Sequence, residues 1–142
     1  MPGINWIPIK PATNGALYAA IAQYLIENKT YNEDFLSYPS QKAAWNAGWG
    51  AHSNATHLVI VDESHPNYHK IMRPADAGLT DPQEKDSSGK AITQYVCIDA
   101  ATGEPALHTA CSKADLYFEG EVNGVAVRTG FLMLKDSVNA YT

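Results

Sequence analysis

Trp6-Ile7-Pro8-Ile9-Lys10-Pro11-Ala12-Thr13-Asn14-Gly15-Ala16-Leu17 is a short apolar strand, a Pro-broken turn, a polar cap and the start of a helix. Pro8 and Pro11 hold the approach extended and delay the helix. Thr13 or Asn14 then caps it, because a short side-chain oxygen accepts one of the free amide protons of the first turn. A helix start also presents unpaired N–H groups and a positive dipole end to a polar ligand edge.

The helix that follows is unusual. Between Ala16 and Ile26 the single clearly polar residue is Gln23. Leu17, Ile21, Tyr24, Leu25 and Asn28 fall on one face at helical spacing, and Ala16, Ala19, Ala20, Ala22 and Ile26 fill the others. A helix without a charged face is expected to be buried nearly all round. These 11 residues are too short to cross a bilayer. The expectation is that its natural neighbours lie outside this chain, in a larger protein or a partner.

Downstream, Thr30 or Asn32 caps a short helix through Glu33, Asp34, Phe35 and Leu36, whose acidic residues suit its first turn. Ser40 caps a third helix, Gln41 to Ala47, closed by Gly48. Trp45, Trp49, Gly48 and Gly50 make an aromatic, Gly-rich loop. Thr56–Asp62 is the clearest buried strand, with a β-branched run, and Tyr95–Asp99 is a second. Residues 78–90 read as a polar loop that varies or gates. Leu116–Glu121 and Val125–Thr129 alternate around Asn123-Gly124, which supplies the two positive φ values of a two-residue hairpin. Phe131–Ala140 closes as a helix.

The first stretch, with Ala20-Ile21-Ala22-Gln23-Tyr24-Leu25-Ile26-Glu27-Asn28 and Tyr31-Asn32-Glu33-Asp34-Phe35-Leu36, resembles a segment of the molybdopterin-dependent oxidoreductases of the dimethyl sulfoxide reductase family. Those proteins carry a tryptophan, an Ile-Pro strand end, Arg or Lys, then Pro-Gly-Thr-Asp and an Ala/Leu-rich helix. The run Val127–Lys135 through Tyr141-Thr142 resembles a later stretch of the same family. The sequence departs from the pattern at Ala12, where Gly is usual, and at Asn14, where Asp is usual. The resemblance implies molybdenum held between two pterin guanine dinucleotides, with Thr13 and Asn14 as contacts to a guanine end. Asn keeps the acceptor of Asp, adds a donor and drops the charge.

The fold class expected is α+β, drawn from an α/β parent domain: helices first, then a small mixed or antiparallel sheet with a hairpin, then a closing helix. Residues 1–142 read as a single domain, an internal segment of a larger molybdoenzyme. The resemblance implies a parent that transfers oxygen atoms or electrons to or from a small substrate, on either face of a bacterial inner membrane. The fragment alone is expected to lack catalysis and bound cofactor, and to pair with the rest of the parent or with itself through apolar surface. The alternative is a stand-alone binding module that uses the Trp45–Gly50 loop and the hairpin as its recognition surface.

Composition narrows the classes. Net charge is −5, with 4 basic and 5 acidic residues over 1–71 and 6 and 10 over 72–142. No basic patch appears, which argues against nucleic acid as a partner. No signal-peptide core follows Met1, and no stretch is long enough for direct membrane insertion.

No catalytic or metal set emerges from the residues. His65 and His69 have a metal-ligand spacing on a helix, but Pro66 and Asn67 favour a surface turn. His52, His57 and His108 stand as isolated structural histidines. Asp62 and Glu63 are adjacent on a strand end and point to opposite faces. Cys97 reads as inert core and Cys111 as more exposed; they are two ordinary thiols unless the fold brings them together. The aromatic set Trp6, Trp45, Trp49, Tyr18, Tyr24 and Tyr31 reads as core and loop packing.

Overall fold

The computed structural model describes residues 8–140. Trp6 and Ile7 of the expected first strand therefore lie outside the described residues. Backbone contacts divide the chain into two compact units. One holds residues up to 31 together with those from 135 onward, and the other holds residues 32–134.

The first unit is built on α1, Asn14–Glu27, with Thr13 at the N-cap position and Asn28 at the C-cap. The helix is where the sequence places it, but Thr13 does not cap it with its side chain. Its hydroxyl instead donates to the Lys10 carbonyl at 2.6 Å. The expectation of burial all round is also corrected, since no residue of α1 is buried. Tyr18 and Tyr24 are 68% and 64% exposed, so the reading of these rings as core packing fails too. The described residues of this unit supply too little apolar surface to enclose such a helix.

The second unit opens with α2, Glu33–Leu36, and α3, Gln41–Asn46. Both caps are as expected. Asn32 Oδ1 accepts from the Phe35 amide, and Ser40 Oγ accepts from the Ala43 amide. Gly48, at φ +87°, ends the second of these turns.

Five strands follow: β1 Leu58–Ile60, β2 Val96–Ile98, β3 Pro105–Leu107, β4 Glu119–Val122 and β5 Val125–Thr129. They form two small antiparallel sheets, ordered β1-β5-β4 and β2-β3. The class is α+β as expected. The main strand is shorter than its apolar run, because Ala55-Thr56 fold into a turn whose carbonyl at Ala55 receives the Phe131 amide. The hairpin is where Asn123-Gly124 predicts it, with φ +50° and +73°.

Alternation sets the core. Val125, Val127 and Thr129 of β5 are buried while Ala126 and Arg128 between them are half-buried. Leu58, Ile60, Met72, Val96, Ile98, Val122, Val125 and Val127 form one cluster. Met72 joins the sheets: its amide donates to Leu58 O at 2.8 Å, and its carbonyl accepts from the Val96 amide at 3.3 Å. Thr129 Oγ1 donates to Leu116 O at 2.7 Å, so this buried hydroxyl is satisfied. The closing helix α4 spans Gly130–Asn139. A Cβ at Gly130 would lie 3.2 Å from the Asn54 carbonyl, which accounts for glycine where the helix begins.

Candidate functional site

The turn into α1 is a defined structure. The Thr13 amide donates to Lys10 O at 3.2 Å, closing Lys10-Pro11-Ala12-Thr13 as a β-turn. Pro11 fixes a negative φ at the second position, and Ala12 takes φ +68° at the third, which makes this a type II turn. Glycine is the residue that suits that position. Ala12→Gly is therefore expected to stabilise the chain by about 0.5–1 kcal/mol, read as a higher urea midpoint with unchanged slope. An equal or lower midpoint would mean that this turn does not form.

Beyond the turn, Thr13 is half-buried and Asn14 and Gly15 are exposed. A Cβ on Gly15 would meet nothing within 4 Å. The Thr13 hydroxyl is spent on Lys10 and does not cap the first amides of α1. The two residues singled out from sequence thus share one open, electropositive helix start.

Three other groups lie in the second unit. His57, Tyr95 and His108 form an aromatic cluster that corrects the reading of isolated histidines. The His57 and Tyr95 rings stack at 5.1 Å, and the His57 and His108 rings meet edge-on at 5.2 Å. His57 Nε2 donates to Pro39 O at 2.9 Å, which leaves Nδ1 as the bare nitrogen, buried and without a hydrogen-bond partner. His108 Nδ1 accepts from the Tyr95 amide at 3.1 Å. Burial lowers both histidines, and the neighbouring His57 adds to the effect on His108, which falls to about 4. Two neutral, buried rings with their polar atoms engaged or enclosed make a structural cluster, not a proton shuttle.

A concavity of about 510 Å³ is lined by Glu33, Asp34, Asp99, Lys113, Asp115 and Tyr117, among others. Acidic side chains outnumber its one lysine, and that lysine is paired. Asp34 pairs with Lys113, which holds that carboxyl below the usual carboxylate range and raises the lysine. Tyr117 OH donates to Glu33 Oε2 at 2.9 Å. No nucleophile sits against a base there.

Cys97 and Cys111 are both buried and free, with their sulfurs 3.4 Å apart. Cys111 is the slightly more exposed of the two, at 4% against 0%, but it too is buried, packed with Ala114 and Ala106.

The remaining sequence candidates separate. His65 and His69 sit in successive turns. His65 Nδ1 accepts from the Asn67 amide, and His69 stacks on Tyr68 at 3.9 Å. Asp62 accepts from the amide and hydroxyl of Ser64, which lowers its pKa, while Glu63 is exposed. Trp45 is 64% exposed and does not pack in the core, whereas Trp49 joins Tyr38 and Ala44. Among the described residues, no group of three or more His, Cys, Asp or Glu side chains gathers to hold a metal.

No protein-family model matches the sequence. Curated relatives do. One subunit of the tetrathionate reductase of Salmonella typhimurium is 39% identical over 143 residues, covering 96% of this chain and 13% of that protein. One subunit of the selenate reductase of Mesobacillus selenatarsenatis is 27% identical, covering 93% and 12%. A putative dimethyl sulfoxide reductase catalytic subunit of Halobacterium salinarum is 26% identical, covering 96% and 13%. The chain belongs to the dimethyl sulfoxide reductase family.

It spans 12–13% of the length of these three relatives. Against the cofactor that the family resemblance implies, the helix start fits as one edge. It offers uncapped backbone donors, an exposed Asn14 amide and open space at Gly15. His57, His108, Cys97 and Cys111 are buried residues and do not offer the open edge that so large a group needs. Within a dimethyl sulfoxide reductase family segment, the features that sequence reading missed are the histidine cluster and the cysteine pair. Both join residues far apart in the chain, and no local spacing signals them.

Proposed function

We propose that this chain is part of the catalytic subunit of a molybdopterin guanine dinucleotide oxidoreductase, whose parent transfers oxygen atoms or electrons to or from a small substrate. The piece contributes scaffold and a few cofactor contacts and is not catalytic by itself. The observation that carries this reading is the uncapped start of α1 behind the Lys10–Thr13 turn, at the residues where the family resemblance expects a guanine contact.

When bound, the molybdenum–pterin group supplies the redox chemistry. This chain's part is to bind and orient one end of it. The Asn14 side chain both donates and accepts, and so matches the mixed donor and acceptor edge of a guanine. The free amides of the first helical turn favour acceptor atoms and partial negative charge. Thr13 keeps its lone pairs available while its proton is held by Lys10.

The test is Asn14→Leu in the complete subunit. It removes one or two neutral hydrogen bonds from an exposed position, so the folded yield stays unchanged. Cofactor affinity falls by roughly fivefold or more, read as molybdenum and guanine nucleotide content per protein. Asn14→Asp retains the content. Wild-type content in Asn14→Leu would remove Asn14 from the site.

The apolar surface of α1 finds its cover in the remainder of the parent. Freed of that cover, the isolated chain associates with itself. The exposed Trp45 supports a second reading, a stand-alone module that binds through the Trp45–Gly50 loop. Sedimentation of the isolated chain separates the two: the module is monomeric, and the parent-derived piece self-associates through α1. No helix among the described residues is long and apolar enough to cross a membrane.

A further inference from the structure

The geometry points to Cys97 and Cys111 as a dithiol that closes to an intramolecular disulfide in exchange with a small disulfide oxidant, tying β2 to the segment after β3. The two sulfurs are in contact at 3.4 Å, across 14 residues of sequence. A disulfide bond is about 2.0 Å, so closure asks for a movement of about 1.4 Å, within the reach of small side-chain rotations.

The surroundings favour the link. The local cluster consists of Cys97, Cys111 and Ala114, with Ala106 against it. Two cysteines and two alanines bury little apolar area, so the β2-β3 sheet has weak non-covalent support on this side. Two sulfurs are the largest atoms in that cluster, and a bond between them would fasten it.

The two thiols are also unequal. Cys97 is fully buried in β2, and its hydrogen bond to the Cys111 sulfur, with burial second, pushes its thiol up. Cys111 is 4% exposed, and the Cys97 S–H donates to it, which lowers its pKa. Cys111 is therefore the first nucleophile. It gives its proton to solvent, and its thiolate attacks one sulfur of the small disulfide, releasing one thiolate. Cys97 passes its proton to that thiolate and attacks Cys111 Sγ, expelling the second. One S–S bond forms in the protein, one breaks in the oxidant, and two electrons pass from the cysteines to the oxidant, which leaves as two thiols.

The test uses two samples. The complete subunit is purified without reductant, blocked with N-ethylmaleimide and digested. The 142-residue chain is equilibrated with reduced and oxidised glutathione, both folded and through a cycle of unfolding and refolding. The expected result is a peptide containing Cys97 linked to one containing Cys111, lost on treatment with dithiothreitol. In the isolated chain, oxidation raises the melting temperature by about 5–10 °C. Cys97→Ala and Cys111→Ala each show no such rise. Both cysteines blocked in both samples, links between separate chains, or an equal rise in the single variants would overturn the assignment. None of these readouts depends on cofactor content.

Discussion

Leu58→Ala is expected to cost about 3–5 kcal/mol, a large share of the stability of a unit this size. Leu58 is fully buried at the start of β1, opposite Thr129 of β5. It belongs to the cluster with Ile60, Met72, Val96 and Val127. Truncation removes the apolar atoms and leaves a void that β5 on one side of β1 and the hydrogen-bonded segment 69–72 on the other resist closing. The measurement is a urea transition followed by circular dichroism. Leu58→Met, which keeps the volume, is expected to lose less than about 1.5 kcal/mol. Val59→Ala, one residue along and half-buried, is expected to lose less than Leu58→Ala. Equal losses at Leu58 and Val59 would show that β1 does not present Leu58 to the core.

Acid is expected to weaken the fold well above the range in which carboxylates titrate. His108 falls from 6.5 to about 4 in the folded chain, because burial and the neighbouring His57 both disfavour a charged ring. His57 is lowered as well, chiefly by burial. His52 lowers His108 further, and Arg73 lies over the Tyr95 ring at 4.7 Å. The unfolded chain binds the proton first, so this stability is complete above the unfolded value and is lost as pH falls from about 6.5 towards 4. Between about pH 7.5 and 5.5 the loss amounts to about 1 kcal/mol for His108, with the same sign from His57. Urea midpoints at the two pH values read it directly. His108→Gln, which keeps an acceptor for the Tyr95 amide, should flatten the profile. A wild-type midpoint that does not move between those pH values would mean that the rings are hydrated.

What the residues reveal in advance follows the range of the interaction. Asn32, Ser40 and the Asn123-Gly124 pair were legible because capping and tight turns depend on a few successive residues. The candidate site at Thr13 and Asn14 was legible as a helix start for the same reason. The turn of the Thr13 hydroxyl toward Lys10 was not, since a hydroxyl can serve either end of a turn. The stacked His57, Tyr95 and His108 lie on separate elements, and only the folded path brings them together. The same holds for Cys97 and Cys111. The aromatic residues of α1 were misread because apolar character sets how much a side chain gains from cover, not whether its own chain provides it.

Met72 gives the second unit a mechanical character. Its backbone is hydrogen-bonded to β1 on one side and to β2 on the other. Tension on either sheet passes to its neighbour through that residue's backbone and through the apolar core that the two sheets share. The short ladders gain their endurance from being spliced, so this part of the molecule gives way all at once and not plank by plank.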